Sequence, residues 1–444
     1  MRVLHTSDWH LGRSLHRADL RTAQARFIDH LVEAARSEQV DAVLVAGDVY
    51  DRATPPVDAV ELYEDALARL RATGARVVLI SGNHDSARRL GVNSALIDAS
   101  GVHLRTRPAS LADPVLLADD HGDVAVYGVP YLEPALGVPE LRPSAPEPGR
   151  GLSEQSPGLS ESGSAEPERS LSLPESASGE SAGDASAVGR RTHEFVLRAA
   201  VNRIRASAAG RGVSRTIVLA HAWVAGGASD QERKQDAAQA RSDSERDISV
   251  GGIGYVPASL FDGFSYVALG HLHGKRTLTD NVRYSGSPLP YSFSEKDHRK
   301  GTWLVNVGAT GETSAEWVPA PVHKRLTTLA GRLDDLLTSR EHDSREGDFI
   351  AVTLTDTARP EGAMDKLRAR FPHILTLEFK PDGVTPDSRS YGEKVKGRDD
   401  LTVAAEFVRH VRNTEASPAE CALLADAFAA SRGTAAHETP EKNR

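Results

Sequence analysis

Apolar and polar positions along this chain fall into two alternating periods. Short runs rich in valine and leucine, at Arg2–Thr6, Val43–Ala46, Arg76–Ile80, Val124–Val129, Thr216–Ala220 and Tyr266–Leu269, have the length and composition of interior strands. Among them lie stretches with the period of core-facing helices. Phe27, Leu31 and Ala35 mark one within Asp19–Ser37, and Val60, Tyr63, Leu67 and Leu70 mark another after Pro55-Pro56. Phe195, Ala199 and Ile204 indicate a third beginning near Thr192, and Arg283–Pro288 and Thr302–Val307 read as closing strands. Strands interleaved with helices predict an α/β domain.

The pattern breaks in three places. From about Gly137 to Gly189 the composition collapses into Ser, Gly, Glu and Pro, which cannot bury enough apolar surface to order itself and predicts a flexible low-complexity insertion. Gly226 to about Val250 reads as a long polar loop. After about Val322, strands at Asp348–Thr355 and Ile374–Phe379 with helices at Asp334–Leu337 and Glu361–Arg370 predict a small α+β unit over 323–386. A linker and helical tail fill 387–444. Leu401, Ala404, Phe407, Val408 and Val411 form one apolar stripe of that tail, and Leu423, Leu424, Ala427 and Phe428 another. Such stripes dock on a partner or fold back on the small unit. The last dozen residues read as disordered, and no internal repeat is visible.

Bulk numbers narrow the class. A chain of 444 residues, 39% hydrophobic, is long enough for two or three domains with a sizeable core. A net charge of −9 argues against coating nucleic acid by bulk charge, though not against a local basic or metal-lined groove. Cys421 is the single cysteine, which excludes an internal disulfide and a thiolate zinc site. No signal-peptide h-region or membrane-length apolar run is present, so the expected location is inside the cell. No Gly-x-x-x-x-Gly-Lys-Ser/Thr occurs, so ATP hydrolysis would fall to a partner.

The chemistry gathers at the strand ends. Arg2–Thr6 delivers Asp8 and His10; Val43–Ala46 runs into Gly47-Asp48-Val49-Tyr50-Asp51; Arg76–Ile80 ends in Ser81-Gly82-Asn83-His84-Asp85. Thr216–Ala220 ends at His221, and Tyr266–Leu269 at Gly270-His271-Leu272-His273. Any one of these is compatible with a hydrogen-bonded turn. Asp8 with His10, and His271 with His273, are two apart, and on extended backbone each pair would share one side. Asp8, His10, Asp48, Asn83, His221, His271 and His273 offer oxygen and imidazole donors without thiolate, a mixture that suits manganese, iron or zinc. Seven donors exceed one ion but suit two that share a carboxylate, with Asp48 the natural bridge. Two divalent ions offset by Asp8 and Asp48 leave surplus positive charge for a phosphate ester, and lower the pKa of bound water. His84 would protonate the leaving oxygen, with Asp51 pairing with its ring and raising its pKa.

Together, Asp8-x-His10, Gly47-Asp48-x-x-Asp51, Gly82-Asn83-His84-Asp85, His221 and Gly270-His271-x-His273 resemble the calcineurin-like metallophosphoesterase superfamily. His5-Thr6-Ser7-Asp8-Trp9-His10-Leu11-Gly12, Ala46-Gly47-Asp48-Val49-Tyr50-Asp51, Pro55-Pro56 and Ser285-Gly286-Ser287-Pro288 are similar to its SbcD family of nuclease subunits. The resemblance spans roughly residues 1–320 in motifs and the remainder in layout. It implies an α/β metallophosphoesterase β-sandwich flanked by helices (1–322), a small α+β capping domain, and a helical C-terminal tail bound to the coiled-coil base of an SbcC-like ATPase. It implies two manganese ions, a homodimeric nuclease core within a heterotetramer, and double-strand 3′–5′ exonuclease and single-strand endonuclease activities in DNA recombination, replication and repair. By position, Asp8, His10, Asp48 and His273 resemble the ligands of one ion, Asp48, Asn83, His221 and His271 those of the other, and His84 the catalytic histidine.

Two features depart from that pattern: the length of the 137–189 insertion, and Arg52, which follows Asp51 as in phosphatases of the same superfamily although Ala53 replaces the usual glycine. The competing readings are a phosphatase or small-molecule phosphodiesterase with the same metals, and a DNA-end scaffold without turnover.

Overall fold

In the computed structural model, residues 1–134, 192–226, 255–383, 398–412 and 414–434 are described. The predicted insertion, nearly all of the 226–250 loop, most of the linker after 386 and the extreme C-terminus lie outside them.

Two six-stranded sheets face each other. The first runs in the order Thr313–Pro319, Gly301–Val307, Arg2–Thr6, Ala42–Ala46, Arg76–Ile80, Val102–Leu104, parallel from Arg2–Thr6 onward and antiparallel before it. The second runs Arg276–Thr277, Val282–Tyr284, Tyr266–Gly270, Thr216–His221, Gly122–Val129, Val115–Asp119, with a parallel centre and antiparallel edges. Side chains of a strand alternate between faces, and here both faces are buried. Val43 and Val45 join the layer under helices Arg21–Ser37 and Val57–Ala72, while Ala42 and Leu44 join the layer between the sheets with Ile217, Leu219 and Ala268. The outer face of the second sheet is covered by the helix His193–Arg211 through Val196, Leu197, Ala200, Val201 and Ile204. The result is an α/β/β/α sandwich.

Register decides where the site lies. Val45 pairs with Thr6 and Ala46 with Ile80, so three strands of the first sheet end side by side. In the second sheet His221 pairs with Gly270. The two sheets approach so closely at this edge that a Cβ on Gly270 would collide with the Ala46 carbonyl, which is why glycine stands there.

Several details differ from the sequence reading, which did not include the edge strands Val102–Leu104, Val115–Asp119 and Thr313–Pro319. The first helix starts at Arg21, because Ser14–Leu15 and Ala18–Asp19 pair as a tight hairpin. Phe195 is exposed, and the core-facing side of its helix is carried by the residues beside it. The small unit has three parallel strands rather than two: Leu326–Gly331 precedes Phe349–Leu354 and Ile374–Phe379, with helices Leu333–Thr338 and Ala363–Arg370 over Leu329, Leu336, Val352 and Phe371. Leu326 and Phe349 also reach Leu15, Leu289 and Tyr291 of the sandwich.

Helices Asp400–Arg412 and Pro418–Thr434 pack on each other, clasped by a bidentate ion pair between Arg412 and Glu420 at 2.6 and 2.9 Å. No residue of the first helix is buried, and Phe407 and Leu423 are exposed. Among the described residues no helix is long and apolar enough to cross a membrane.

Candidate metal centre

The loops after the strands are zipped together by their main chains. Asp8 N–H donates to Gly47 O at 3.0 Å, His10 N–H to Asp48 O at 3.0 Å and Leu11 N–H to Val49 O at 2.9 Å. The expected extended backbone is not found. Asp8, His10, Asp48 and His271 have φ of 52°, 44°, 50° and 109°, in the region that disfavours side chains. Four strained residues bearing oxygen and imidazole donors at one spot indicate conformations imposed by function. Thus Asp8 and His10 converge through tight turns, and not through strand alternation.

All seven proposed ligands meet here. Nε2 of His10 lies 3.0 Å from Nε2 of His273, and 3.6 Å from Oδ2 of Asp48. That same Oδ2 lies 3.5 Å from Nε2 of His221, so the Asp48 carboxylate stands between two sets of donors. Asn83 Oδ1 is 3.0 Å from His221 Nε2 and 3.1 Å from His271 Nδ1. Asp8 accepts from Ser7 Oγ at 2.5 Å and from the His271 main-chain N–H at 3.0 Å. Asp8, His10 and His273 form one convergent triplet and Asp8, Asp48 and His221 another, the donor atoms of each within 4.8 Å of one another. His84 joins His10 and Asp48 in a third such triplet.

This donor set fits divalent cations. The Nε2 atoms of His10 and His273 face each other at 3.0 Å with Asp48 Oδ2 3.6 Å from the first, so three donor atoms converge on one point. Burial pushes the pKa of His10 and of His271 well below the usual histidine value, which keeps the rings neutral and able to donate a lone pair. Burial raises Asp8, and Asp48 beside it pushes the same way against the pull of His221 and His273. Burial would raise Asp48 too, but His221, His10 and His84 outweigh it and hold the carboxyl well below its ordinary range. Burial disfavours charge on His221, yet Asp48 raises that ring to about 9.

The pairing expected between His84 and the Asp51 side chain is replaced by a backbone contact. His84 Nδ1 faces the Asp51 main-chain oxygen at 2.9 Å, while the Asp51 carboxylate lies 3.3 Å from Arg13 and 3.9 Å from His10 Nδ1. Asn83 and His84 are half-buried and the other proposed ligands buried, so the mouth of the site opens at these two residues. Arg52 is exposed, 3.7 Å from Asp51.

Three further groups around the site had no assigned role in the sequence. Asp85 accepts from the main-chain N–H groups of Val49, Tyr50 and Gly82, stapling the Asp48 turn to the Asn83 turn. Burial and Asp48 raise its pKa to about 6 against those three donors. Glu295 lies 3.1 Å from Nδ1 of His273, and Lys300 donates to Glu295 at 2.6 Å. Nothing in the surrounding Ser292-Phe293-Ser294 marks Glu295 as special; it comes near the site through the fold alone.

The profile of the calcineurin-like phosphoesterase family matches residues 1–135, which hold Asp8, His10, Asp48, Asn83 and His84. The profile of the type 5 capsule protein repressor C-terminal domain, the SbcD C-terminal domain, matches residues 322–412. Among solved structures, the chain is similar to TT1561 of Thermus thermophilus, at 13% identity over 72% of this chain and 99% of that one, with a TM-score of 0.34. It is similar also to a beta-glucosidase from Exiguobacterium marinum, at 9% identity over 85% and 89% of the two chains, with a TM-score of 0.20.

Proposed function

We propose, from the premise that this chain belongs to the calcineurin-like metallophosphoesterases of the SbcD type, that it is the nuclease subunit of a DNA-processing complex with an SbcC-like ATPase. The reaction is hydrolysis of DNA phosphodiester bonds, as a double-strand 3′–5′ exonuclease and single-strand endonuclease acting on DNA ends and hairpins. The assembly is a heterotetramer around a homodimer, working at the nucleoid in the cytoplasm.

The observation that carries this reading is the Asp48 carboxylate between the His10 and His221 imidazoles at 3.6 and 3.5 Å. Asp8, His10, Asp48 and His273 would hold one cation, and Asp48, Asn83, His221 and His271 the other. Two divalent cations, manganese by the family resemblance, would supply positive charge for the phosphate oxygens and lower the pKa of the attacking water. The protein's own groups do the rest. The zipped loops fix the donors before substrate arrives, which avoids reorganisation during the reaction. His84, at the mouth, stands where a leaving oxygen would emerge, its Nδ1 tied to the Asp51 carbonyl and its Nε2 the nitrogen left to deliver a proton.

The test is purified protein with a panel of divalent metals on end-labelled linear duplex DNA, beside p-nitrophenyl phosphate. Manganese-dependent shortening of the duplex is the expected result. Turnover of the small ester alone would assign a phosphatase, and intact DNA with the ATPase partner present would assign a scaffold.

A further inference from the structure

His273 differs from the other proposed ligands in what stands behind it. Its Nδ1 is 3.1 Å from Oε1 of Glu295, whose side chain is fully buried. The other oxygen of that carboxylate, Oε2, accepts from Lys300 Nζ at 2.6 Å and from the Tyr291 main-chain N–H at 3.3 Å. Lys300 itself is locked by two further acceptors, the His273 carbonyl and Ser287 Oγ, each at 2.8 Å. The two carboxylate oxygens therefore have distinct tasks, since Oε2 faces donors that carry no lone pair and Oε1 faces an imidazole nitrogen.

We propose that Glu295, clamped by Lys300, is a positioning residue that accepts from Nδ1–H of His273 and so fixes the tautomer in which Nε2 faces the cation. The inference rests on the metal-centre reading above. A ring nitrogen that carries a proton cannot ligate, and which nitrogen carries it is set by the bond the other one makes. With Glu295 in place, the Nε2 lone pair points to His10 Nε2, 3.0 Å away, where a shared cation would pull both nitrogens.

The substitution Glu295→Gln isolates this role, because it keeps shape and changes one atom's character. Lys300 and the Tyr291 N–H require an acceptor at the Oε2 position, so the amide oxygen must go there. The amide NH2 then faces His273 Nδ1, which has to accept, and the proton moves to Nε2, the nitrogen needed by the cation. Manganese binding is read by calorimetric titration and by electron paramagnetic resonance of the loaded protein. Wild-type protein is expected to take up two ions with a coupled dinuclear signal. Glu295→Gln is expected to bind one of them about 10- to 100-fold more weakly and to lose the coupled signal.

Two ions bound by Glu295→Gln with wild-type affinity would overturn the proposal while leaving the metal centre intact. No manganese bound by the wild type would overturn the metal centre itself. If Glu295→Gln does not fold, imidazole 15N resonances of metal-free wild-type protein decide the matter: a proton on Nδ1 of His273 is expected, and a proton on Nε2 refutes the assignment.

Discussion

The main-chain oxygen of Asp51 lies 2.9 Å from Nδ1 of His84. A carbonyl can only accept, so it fixes the ring with Nδ1 as donor whatever side chain residue 51 carries. Asp51→Asn should therefore hold His84 in place and keep turnover within about tenfold of wild type, whereas His84→Gln should lose about 10²–10⁴ in rate with both ions retained. Steady-state rates paired with elemental analysis check this. Metal loss in His84→Gln would make His84 a ligand, as its convergence with His10 and Asp48 would permit.

Gly82 packs against Asp48, the proposed bridging residue. A Cβ there would run into the Asp48 carboxylate and come within 2.5 Å of its main-chain nitrogen. The neighbour is held by its own hydrogen bonds and cannot retreat. Gly82→Ala should cost about 1–3 kcal/mol by overpacking and weaken manganese binding by more than tenfold, since Asp48 would serve both ions in the proposed centre. Melting in chelator measures the first effect and manganese titration the second; unchanged binding would remove Asp48 from the bridging position.

His5 predicts a pH dependence of stability. It is buried between the sheets, its Nε2 donating to Leu269 O at 3.1 Å and its Nδ1 accepting from Tyr266 Oη at 2.9 Å. Burial, above all, lowers its pKa to about 3. The unfolded chain takes up a proton near 6.5 that the folded protein refuses. This contribution is complete above pH 6.5 and is lost as pH falls toward 3, at about 1.4 kcal/mol per pH unit. His5→Gln can make both hydrogen bonds without titrating. Denaturant unfolding at pH 4.5, 5.5 and 6.5 should show a shallower loss in the variant, by close to one proton; parallel lines would contradict it.

The site was more legible than its geometry. Asp8, His10, Asp48, Asn83, His221, His271 and His273 could be read because each follows a valine-rich strand whose end the apolar run defines. The turns that aim them could not. Left-handed φ at four non-glycine residues is a property of the zipped loops, and local sequence favours the opposite. Glu295 and Lys300 stayed hidden because their partner His273 is remote in sequence and no spacing links them. The strand Leu326–Gly331 was missed because Thr327 and Thr328 interrupt its apolar run, and its pairing with Phe349–Leu354 supplies the order that its composition does not.

The tail offers the last prediction. Phe407 is 53% and Leu423 69% exposed although both lie on apolar stripes, and together with Val408, Val411 and Leu424 they line a groove between the two helices. An apolar face of this kind left in water marks an interaction surface. The C-terminal family profile ends at residue 412, so it takes in the first of these helices. This groove is the surface on which the proposed ATPase partner is expected to dock. Removing residues 398–444 should abolish co-purification with the ATPase and leave manganese-dependent cleavage of single strands within about twofold, because the donors all lie in the sandwich. The paired substitutions Phe407→Asp and Leu423→Asp should do the same without shortening the chain. Co-purification that survives both changes would move the contact to another surface.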